Sequence, residues 1–433
     1  MAAQSRRGGK SSSPGTSKAK FWGIAVGAVA ALTTTAMIVT LATGDDSAPT
    51  HVASPQATPE PKPGKARGQV TSGVPVGYPR TEAGAKAAAA NYTVISGSSA
   101  FLTSKDARHR AVSVMSAGSR TSTATKEADH EARRARAELK GDKSKLAPRH
   151  VIARTGILSA HTLGADIHKA TVRLWTTTVR GSATGHATPK AAFRSVTVSL
   201  VWERNDWKMS GSSSSSGLVA PVDTRQATNV TSDFADYVPA RASDPVLSGA
   251  ETKGGLPGAY ERTERGAHAA ATSAVMLRGD PRFFSNAEWR NKILTATTAS
   301  SALDTAKADA DSMTQLVVEN RSLGDDGKTA DGGLLVTRTA VLGSRAVAYS
   351  EQTASMELWT ASVGGVAGKN ESERPQIGFI RMTVDLIWAD GTWKTTAVTP
   401  SEPLVPSPPA AEEAAPASSF ADVGGVSDAP SLA

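Results

Sequence analysis

The chain contains one stretch of sequence twice, and the spacing between the copies sets the size of its domains. Residues 73–89 read GVPVGYPRTEAGAKAAA, and residues 255–271 read GLPGAYERTERGAHAAA. Eleven of these seventeen positions are identical without a gap, at an offset of 182 residues. Solenoid repeats have periods of roughly 20 to 50 residues, so this much longer period predicts two tandem domains of ordinary size.

Later matches keep the same order in both halves of the chain. VRLWTTTV pairs with MELWTASV at an offset of 184, and TVSLVWERNDWK pairs with TVDLIWADGTWK at an offset of 186. We interpret the shared positions as structural landmarks of one duplicated architecture. They are Gly73, Pro75, Tyr78, Thr81, Gly84, Trp175, Trp202 and Trp207 in the first copy, and Gly255, Pro257, Tyr260, Thr263, Gly266, Trp359, Trp388 and Trp393 in the second.

The repeated motif predicts the start of a helix. Thr81 and Thr263 each precede a Glu and an Ala-rich run, which is typical of an N-cap followed by an acidic first turn. Gly84 and Gly266 would cost about 1 kcal/mol each relative to Ala inside a helix, so we expect a tight approach to another element there. A phosphate-binding loop does not fit, because no strand precedes the motif and no Lys follows at Walker spacing.

The rest of each copy predicts more helices and then a meander of strands. Further helices are expected at 104–117, 126–140, 286–296 and 303–318, and the mixed charges of 126–140 favour a solvated helix face. Apolar residues then alternate with polar ones, and ERND and ADGT supply turn chemistry between the paired tryptophans. Each repeat is therefore predicted to be an α+β domain, with N-terminal helices packed on a curved antiparallel sheet and a core of its own.

The N-terminal region predicts a membrane anchor. Five Lys and Arg residues without an acid precede residues 21–43, an uncharged run of 23 residues that would rise about 34 Å as a helix. Cations before the run and Asp45 and Asp46 after it predict a cytoplasmic N-terminus and extracytoplasmic domains. A cleaved signal peptide is the alternative, although its apolar core is usually only roughly 7 to 15 residues long. Gly23, Gly27 and Ala31 recur at a spacing that favours close packing of two such helices, and hence self-association.

These features divide the chain into seven segments. We expect a basic cytoplasmic tail (1–20), a transmembrane helix (21–43), a Pro-rich linker (44–72), the first α+β domain (73–222), an inter-domain linker (223–254), the second α+β domain (255–405) and a disordered Pro/Ala-rich tail (406–433).

A search for chemistry along the chain identifies no catalytic, cofactor-binding or metal-binding residue. The chain has no Cys, and its histidines show no HExxH or other close ligand pair. GDDGKTADGG (324–333) lacks the oxygen ligands of a calcium loop, and GSSSSSG (211–217) is interpreted as a flexible exit from a hairpin. Asp385 is either a pocket acid or a residue on the solvated side of the sheet. The equivalent residues Arg173 and Glu357 either meet between the domains or are unrelated surface substitutions.

The order of elements resembles the nuclear transport factor 2-like (cystatin-like) cone. Two such cones behind one span resemble the bitopic transfer protein of Gram-positive conjugative plasmids and, more distantly, the periplasmic-domain component of type IV secretion systems. The Gly-x-Pro-x-x-Tyr-x-Arg-Thr-Glu repeats and the tryptophan hairpins also look like those of actinobacterial membrane proteins. The resemblance covers Gly73 to about Pro406, rests on architecture, and carries no functional residue onto this chain.

The resemblance implies a non-enzymatic, membrane-anchored extracytoplasmic scaffold that contacts envelope proteins of a conjugative transfer or type IV secretion-like apparatus. It needs no cofactor, and we expect no direct nucleic-acid binding. The alternative is an anchored binding module that uses one cone as a pocket for a small ligand or a cell-wall fragment. An enzyme ranks third, because it would need a convergent acid/base pair that the sequence does not show.

Overall fold

The two repeats contain nearly all of the residues that the structure describes. The structure, a computed structural model, describes residues 69–140, 147–148, 151–182, 190–216, 222–223, 250–251, 257–258, 260–370, 373 and 375–401. Within these residues no helix is both long enough and apolar enough to cross a bilayer. The predicted span at 21–43 lies outside them, as do Gly23, Gly27, Ala31, Gly255 and the predicted C-terminal tail.

Each repeat begins with four helices in the same order. In the first repeat these are α1 (Glu82–Ser96), α2 (Ser99–Thr103), α3 (Lys105–Met115) and α4 (Thr121–Lys140). In the second they are α5 (Glu264–Arg278), α6 (Pro281–Ser285), α7 (Ala287–Thr297) and α8 (Leu303–Arg321). A short 3₁₀ turn precedes the last helix of each set, at Gly118–Arg120 and Ser300–Ala302. The long helices agree with the sequence prediction, whereas the five-residue helices α2 and α6 were not predicted because each spans little more than one turn.

An antiparallel meander follows the helices in each repeat, which confirms the predicted α+β class. The first sheet has the order β3 (Val151–Ala165), β4 (Lys169–Ser182), β5 (Lys190–Glu203) and β6 (Asp206–Ser216), with β7 (Val222–Asp223) also pairing with β5. The second has the order β10 (Leu334–Tyr349), β11 (Thr353–Ala367), β12 (Gln376–Ala389) and β13 (Thr392–Ser401). Two small hairpins, β1 (Gln69–Thr71) with β2 (Val74–Val76) and β8 (Ala250–Glu251) with β9 (Pro257–Gly258), precede the helices.

Three stretches that the sequence assigned to connections are strands. Ser212 to Ser216 continue β6 and pair with β5 as far as Arg194, so the interpretation of GSSSSSG as a flexible exit was wrong. Serine is short enough to sit on a strand wherever the neighbouring strand supplies the backbone partners, and composition alone does not reveal that neighbour. Strands β1 and β8 likewise lie within the stretches predicted as linkers.

Helices α1 and α5 lie against the sheets through faces of small residues. Ala85, Ala88 and Ala89 of α1 have no exposed surface, and the equivalent alanines of α5 are at most 4 % exposed. Ser99, at the start of α2, covers the outer edge of β3: its hydroxyl accepts from the N–H of Ala153 and donates to the carbonyl of Val151. A side chain therefore pairs part of an edge that would otherwise be open.

Strands β3 and β10 are buried on both faces. Every residue from Val151 to Ala160 is buried, as is every residue from Leu335 to Leu342, without the alternation expected of a strand with one solvated face. Thr155 explains one face, because its side chain lies directly beneath Gly97 at the end of α1. Its neighbour Gly156 explains the other, because it lies against β10 of the second repeat.

The repeats meet at equivalent positions. Gly156 and Ala340 correspond at the offset of 184, and a Cβ added to Gly156 would lie 2.8 Å from the Cβ of Ala340. A contact between a residue and its own counterpart is the signature of two-fold packing, here between two halves of one chain. One continuous apolar cluster includes Ile157 of the first repeat and Val341 of the second, so the cores are joined, contrary to the expectation of separate interiors.

The contact at Gly156 predicts a measurable coupling between the repeats. Gly156→Ala should lower the free energy of unfolding by about 1–3 kcal/mol, because the new methyl overlaps a side chain fixed to a strand. Gly164→Ala in the same strand is the matched control, since its added Cβ meets nothing within 4 Å. Urea unfolding should show a smaller penalty for Gly156→Ala in the Ala340→Gly background. Equal penalties in the two backgrounds would contradict this packing.

Candidate interaction site

The repeated motif and the tryptophan hairpin come together at one end of each repeat, which we call the motif end. Thr81 begins α1 in extended conformation, and its hydroxyl accepts the N–H of Gly84 at 3.1 Å. Thr263 does the same for Gly266 at 3.0 Å. The predicted N-caps are therefore confirmed in both copies.

In each motif, the position of one main-chain carbonyl explains why Gly84 or Gly266 must be glycine. A Cβ on Gly84 would overlap the carbonyl oxygen of Pro79, and a Cβ on Gly266 would overlap that of Glu261. The close approach is therefore made within the motif, to the residue five positions earlier, and not to another element as the sequence suggested. The physical reason is a tight turn before the helix, in which the same carbonyl accepts the N–H of the N-cap threonine at 2.8 Å in both repeats.

The same carbonyl also binds the tryptophan hairpin. The indole N–H of Trp207 donates to Pro79 O at 3.0 Å, and that of Trp393 donates to Glu261 O at 2.9 Å. Both indoles are almost fully buried, so the hydrogen bond satisfies a donor that has lost its water. The last hairpin of each sheet is thus fixed to the turn that begins the first helix.

An arginine completes the motif end from outside. The guanidinium of Arg80 lies 5.3 Å from the ring centroid of Trp202, and that of Arg262 lies 5.5 Å from Trp388. Each arginine also donates through Nε to a main-chain carbonyl of the hairpin between the first two strands of its sheet, Ile167 O or Glu351 O. An exposed cation–π contact contributes about 0.5–1 kcal/mol, so Arg adds orientation rather than most of the stability.

The paired tryptophans pack on each other. Trp202 and Trp207 are T-shaped at 5.4 Å, and Trp388 and Trp393 repeat the arrangement at 5.5 Å. The turns between them place consecutive residues at positive φ, Arg204–Asn205 and Asp390–Gly391, as the predicted two-residue hairpins require.

The motif tyrosines are buried and neutral. Tyr78 accepts a hydrogen bond from Asn91 Nδ2 at 2.9 Å, and its main-chain N–H donates to Asp206 Oδ1. Burial raises the pKa of Tyr78 and of Tyr260 far above the ordinary range, so neither phenol ionises at neutral pH. Thr392 replaces Asp206 in the second repeat and accepts from the N–H of Tyr260 at 3.1 Å.

A lysine beside each hairpin is buried differently in the two copies. Lys208 forms a buried ion pair with Asp206 at 3.0 Å and donates to Val114 O. Lys394 donates to Ala296 O without an equivalent acid, and burial lowers the pKa of its ammonium group. Both lysines bind the end of a helix through a carbonyl, which is a structural role.

The remaining landmarks are also structural. Trp175 and Trp359 are buried within β4 and β11, and Gly73 has a φ of +83° in the turn between β1 and β2. Pro75 and Pro257 lie in the short strands β2 and β9.

The two uncertain acids lie on the sheets. Asp385 alternates with the buried Val384 and Leu386, which favours the solvated side of the sheet over a pocket. Glu357 forms an ion pair at 2.9 Å with Arg345, on the neighbouring strand of its own repeat. In the described part of the chain no three His, Cys, Asp or Glu side chains group as metal ligands.

Both repeats share an ion pair that was not predicted from the sequence. Arg108 binds Asp129 and the carbonyl of Phe101, and Arg290 binds Asp311 and the carbonyl of Phe283. All three positions are related by the offset of 182, so the repeat alignment contained the signal. In the first copy His109 adds a contact to Asp129 at 3.0 Å.

The turn before the helix leaves no room for a side chain at Gly84 or Gly266. Gly84→Ala should destabilise the fold by at least about 2 kcal/mol, because the clash is with main chain and also displaces the acceptor of Trp207. Gly266→Ala should behave alike, whereas Gly211→Ala, with open space around its added Cβ, should be nearly neutral in thermal unfolding. A stabilising Gly84→Ala would contradict the turn geometry.

The ion pair of the first repeat predicts a pH dependence of stability through Asp129. The hydrogen bonds from His109 and then Arg108 lower the pKa of Asp129 to about 2. Because the folded pKa is below the ordinary value of about 3.9, its contribution is complete above that pH and is lost as the pH falls through about 2. The stability difference between the wild type and Asp129→Asn should therefore shrink below about pH 4.

A histidine variant tests the cause of that shift. His109→Asn copies Asn291 of the second repeat and should move the Asp129 pKa upward in an NMR titration. An unchanged pKa in this variant would show that Arg108 alone sets it.

Comparisons with known proteins give weak structural matches. No protein-family model matches the chain, and no curated protein matches it. One similar structure is the intermembrane space region of chloroplast protein ARC6, with a TM-score of 0.22 and 14 % identity over 32 % of this chain and 94 % of that one. Another is an Ntf2-like protein involved in plasmid conjugation, with a TM-score of 0.17 and 8 % identity over 72 % of this chain and 94 % of that one.

Proposed function

We propose that the chain is a single-pass membrane protein whose two joined cones act outside the cytoplasm as a scaffold. It works through protein–protein contacts as a component of a conjugative transfer or type IV secretion-like apparatus. Residues 21–43 form the anchor, and Gly23, Gly27 and Ala31 provide a face on which two anchors associate.

The observation that carries this proposal is the filled interior of both repeats. Cone-shaped α+β domains that bind or transform a small molecule do so in the space between helix and sheet. Here apolar side chains occupy that space, with alanines of α1 and α5 packed on residues such as Leu200 and Leu386. The repeated polar contacts, including those of Arg80 and Arg108, bind main-chain carbonyls and hold elements together. The outer surfaces are therefore the parts that remain for function.

The joined core supports a scaffold in a second way. Relative motion of domains is the default where the interface between them is small and polar. Gly156 and Ala340 instead meet within one apolar cluster, which favours a fixed arrangement of the two outer surfaces. A fixed spacing of two similar surfaces is useful to a protein that positions partners.

Membrane topology tests the proposal directly. Because the chain has no Cys, a single introduced Cys is a unique label. In intact cells a membrane-impermeant maleimide should label Ser113→Cys, on the exposed face of α3, and should label Ser5→Cys only after permeabilisation. Both products should remain in the membrane fraction after a carbonate wash. Labelling of Ser5→Cys in intact cells, or release of a shortened chain into the medium, would overturn the anchor.

Genetic context tests the apparatus. Genes for a transfer ATPase and other membrane components beside this one would support a role in transfer. Their absence would leave an anchored scaffold with other partners.

A further inference from the structure

Exposed apolar side chains are concentrated in two hairpin tips. We define the first tip as residues 163–169, which contain the end of β3, the turn and the first residue of β4. The second tip, residues 347–353, contains the end of β10, the turn and the first residue of β11. Five large hydrophobic residues are exposed in the described part of the chain, and four of them lie in these tips. They are Leu163 (45 %), Ile167 (60 %), Val347 (57 %) and Tyr349 (37 %).

The two tips occupy equivalent places but differ in chemistry. In the second tip Tyr349 packs at 6.0 Å from Trp393, and Glu351 stands where the first tip has Ile167. The first tip thus presents two exposed aliphatic side chains, whereas the second presents one, Val347, together with Tyr349 and the exposed acid Glu351.

The first tip also has more positive charge around it than the second tip. Three exposed cations lie on or near the first tip: Lys169 belongs to it, Arg80 bonds to it, and Arg204 lies in the turn of the neighbouring β5–β6 hairpin, where it pairs with Glu203 at 3.1 Å. Asp166 is the acid within the tip. Asp166 is engaged by the main-chain N–H groups of His168 and Lys169 at 2.6 and 2.7 Å, so it serves the turn. The positions equivalent to Lys169 and Arg204 are Thr353 and Asp390. The second tip therefore has one cation, Arg262, and two acids, Glu351 and Asp390.

The first tip also lies close to the residues that begin the first repeat. Arg80 follows β2 closely, and it bonds the carbonyl of Ile167 and the ring of His168. Between Thr43, at the end of the proposed span, and Gln69, at the start of β1, lie 25 residues. At 3.3–3.6 Å per residue they reach at most about 90 Å, so the anchor keeps this end of the repeat within about 90 Å of the bilayer.

We propose that the first tip rests on the outer surface of the bilayer, with Leu163 and Ile167 inserted at the boundary between headgroups and acyl chains. Arg80, Lys169 and Arg204 then face anionic headgroups, the arrangement by which peripheral segments combine apolar insertion with charge. By itself this contact would bind the bilayer weakly. The proposed anchor already attaches the chain to the membrane, so the tip binds the bilayer as an intramolecular step at a high effective concentration. This inference rests on the proposed anchor.

Single-Cys labelling in vesicles tests the contact. The full-length chain is reconstituted in phosphatidylcholine vesicles containing phosphatidylglycerol, and Ile167→Cys or Leu163→Cys carries an environment-sensitive fluorophore. Glu351→Cys and Val347→Cys are the matched controls in the second tip. We expect a blue shift and loss of iodide quenching for the first-tip probes only. The shift should diminish in phosphatidylcholine alone and in the Lys169→Thr/Arg204→Asp background, which copies the second tip.

The outcomes separate this inference from the anchor on which it depends. If the chain floats with the vesicles but the first-tip probes remain fully quenched, the membrane contact is overturned while the anchor stands. Equal immersion of first-tip and second-tip probes would also overturn it, because the proposal assigns the contact to one tip. A chain that fails to float with the vesicles overturns the anchor and the contact together.

Discussion

One main-chain carbonyl in each repeat holds together the elements on which the fold depends. The carbonyl of Pro79 accepts the N–H of Thr81 and the indole N–H of Trp207, and it lies so close to Gly84 that a methyl does not fit. The entry turn and the first helix that follows it are thereby fixed to the last hairpin, whose Trp207 lies 128 residues further along the chain. The second repeat reproduces all of these contacts around Glu261, although the residue itself has changed, because the main chain supplies the acceptor.

The contact between the repeats buries a second face of strands β3 and β10. A strand at the edge of a sheet normally has a solvated face, yet β3 and β10 are covered on both sides over eight or more residues. Their centre is the contact of Gly156 with Ala340, where small residues allow two backbones to approach. The same contact joins the two cores into one apolar cluster.

Duplication also shows which contacts are structural and which are free to change. The cap, the carbonyl, the arginine on tryptophan and the Arg108–Asp129 pair occur in both copies, so they belong to the architecture. The hairpin tips differ: Ile167, Lys169 and Arg204 have no counterpart of the same chemistry in the second repeat. Function specific to one repeat is best sought where the copies diverge at the surface, and the first tip meets that condition.

The sequence by itself determined the duplication, the α+β order, the N-caps at Thr81 and Thr263 and the tryptophan hairpins, because these follow from local periodicity and turn chemistry. It did not reveal why Gly84 is glycine, since the obstructing carbonyl is placed by a turn whose geometry the letters do not specify. Nor did it show that Ser212 to Ser216 form a strand, that Glu357 pairs with Arg345, or that Gly156 meets Ala340. Those outcomes depend on which strands become neighbours, and only the tertiary structure decides that.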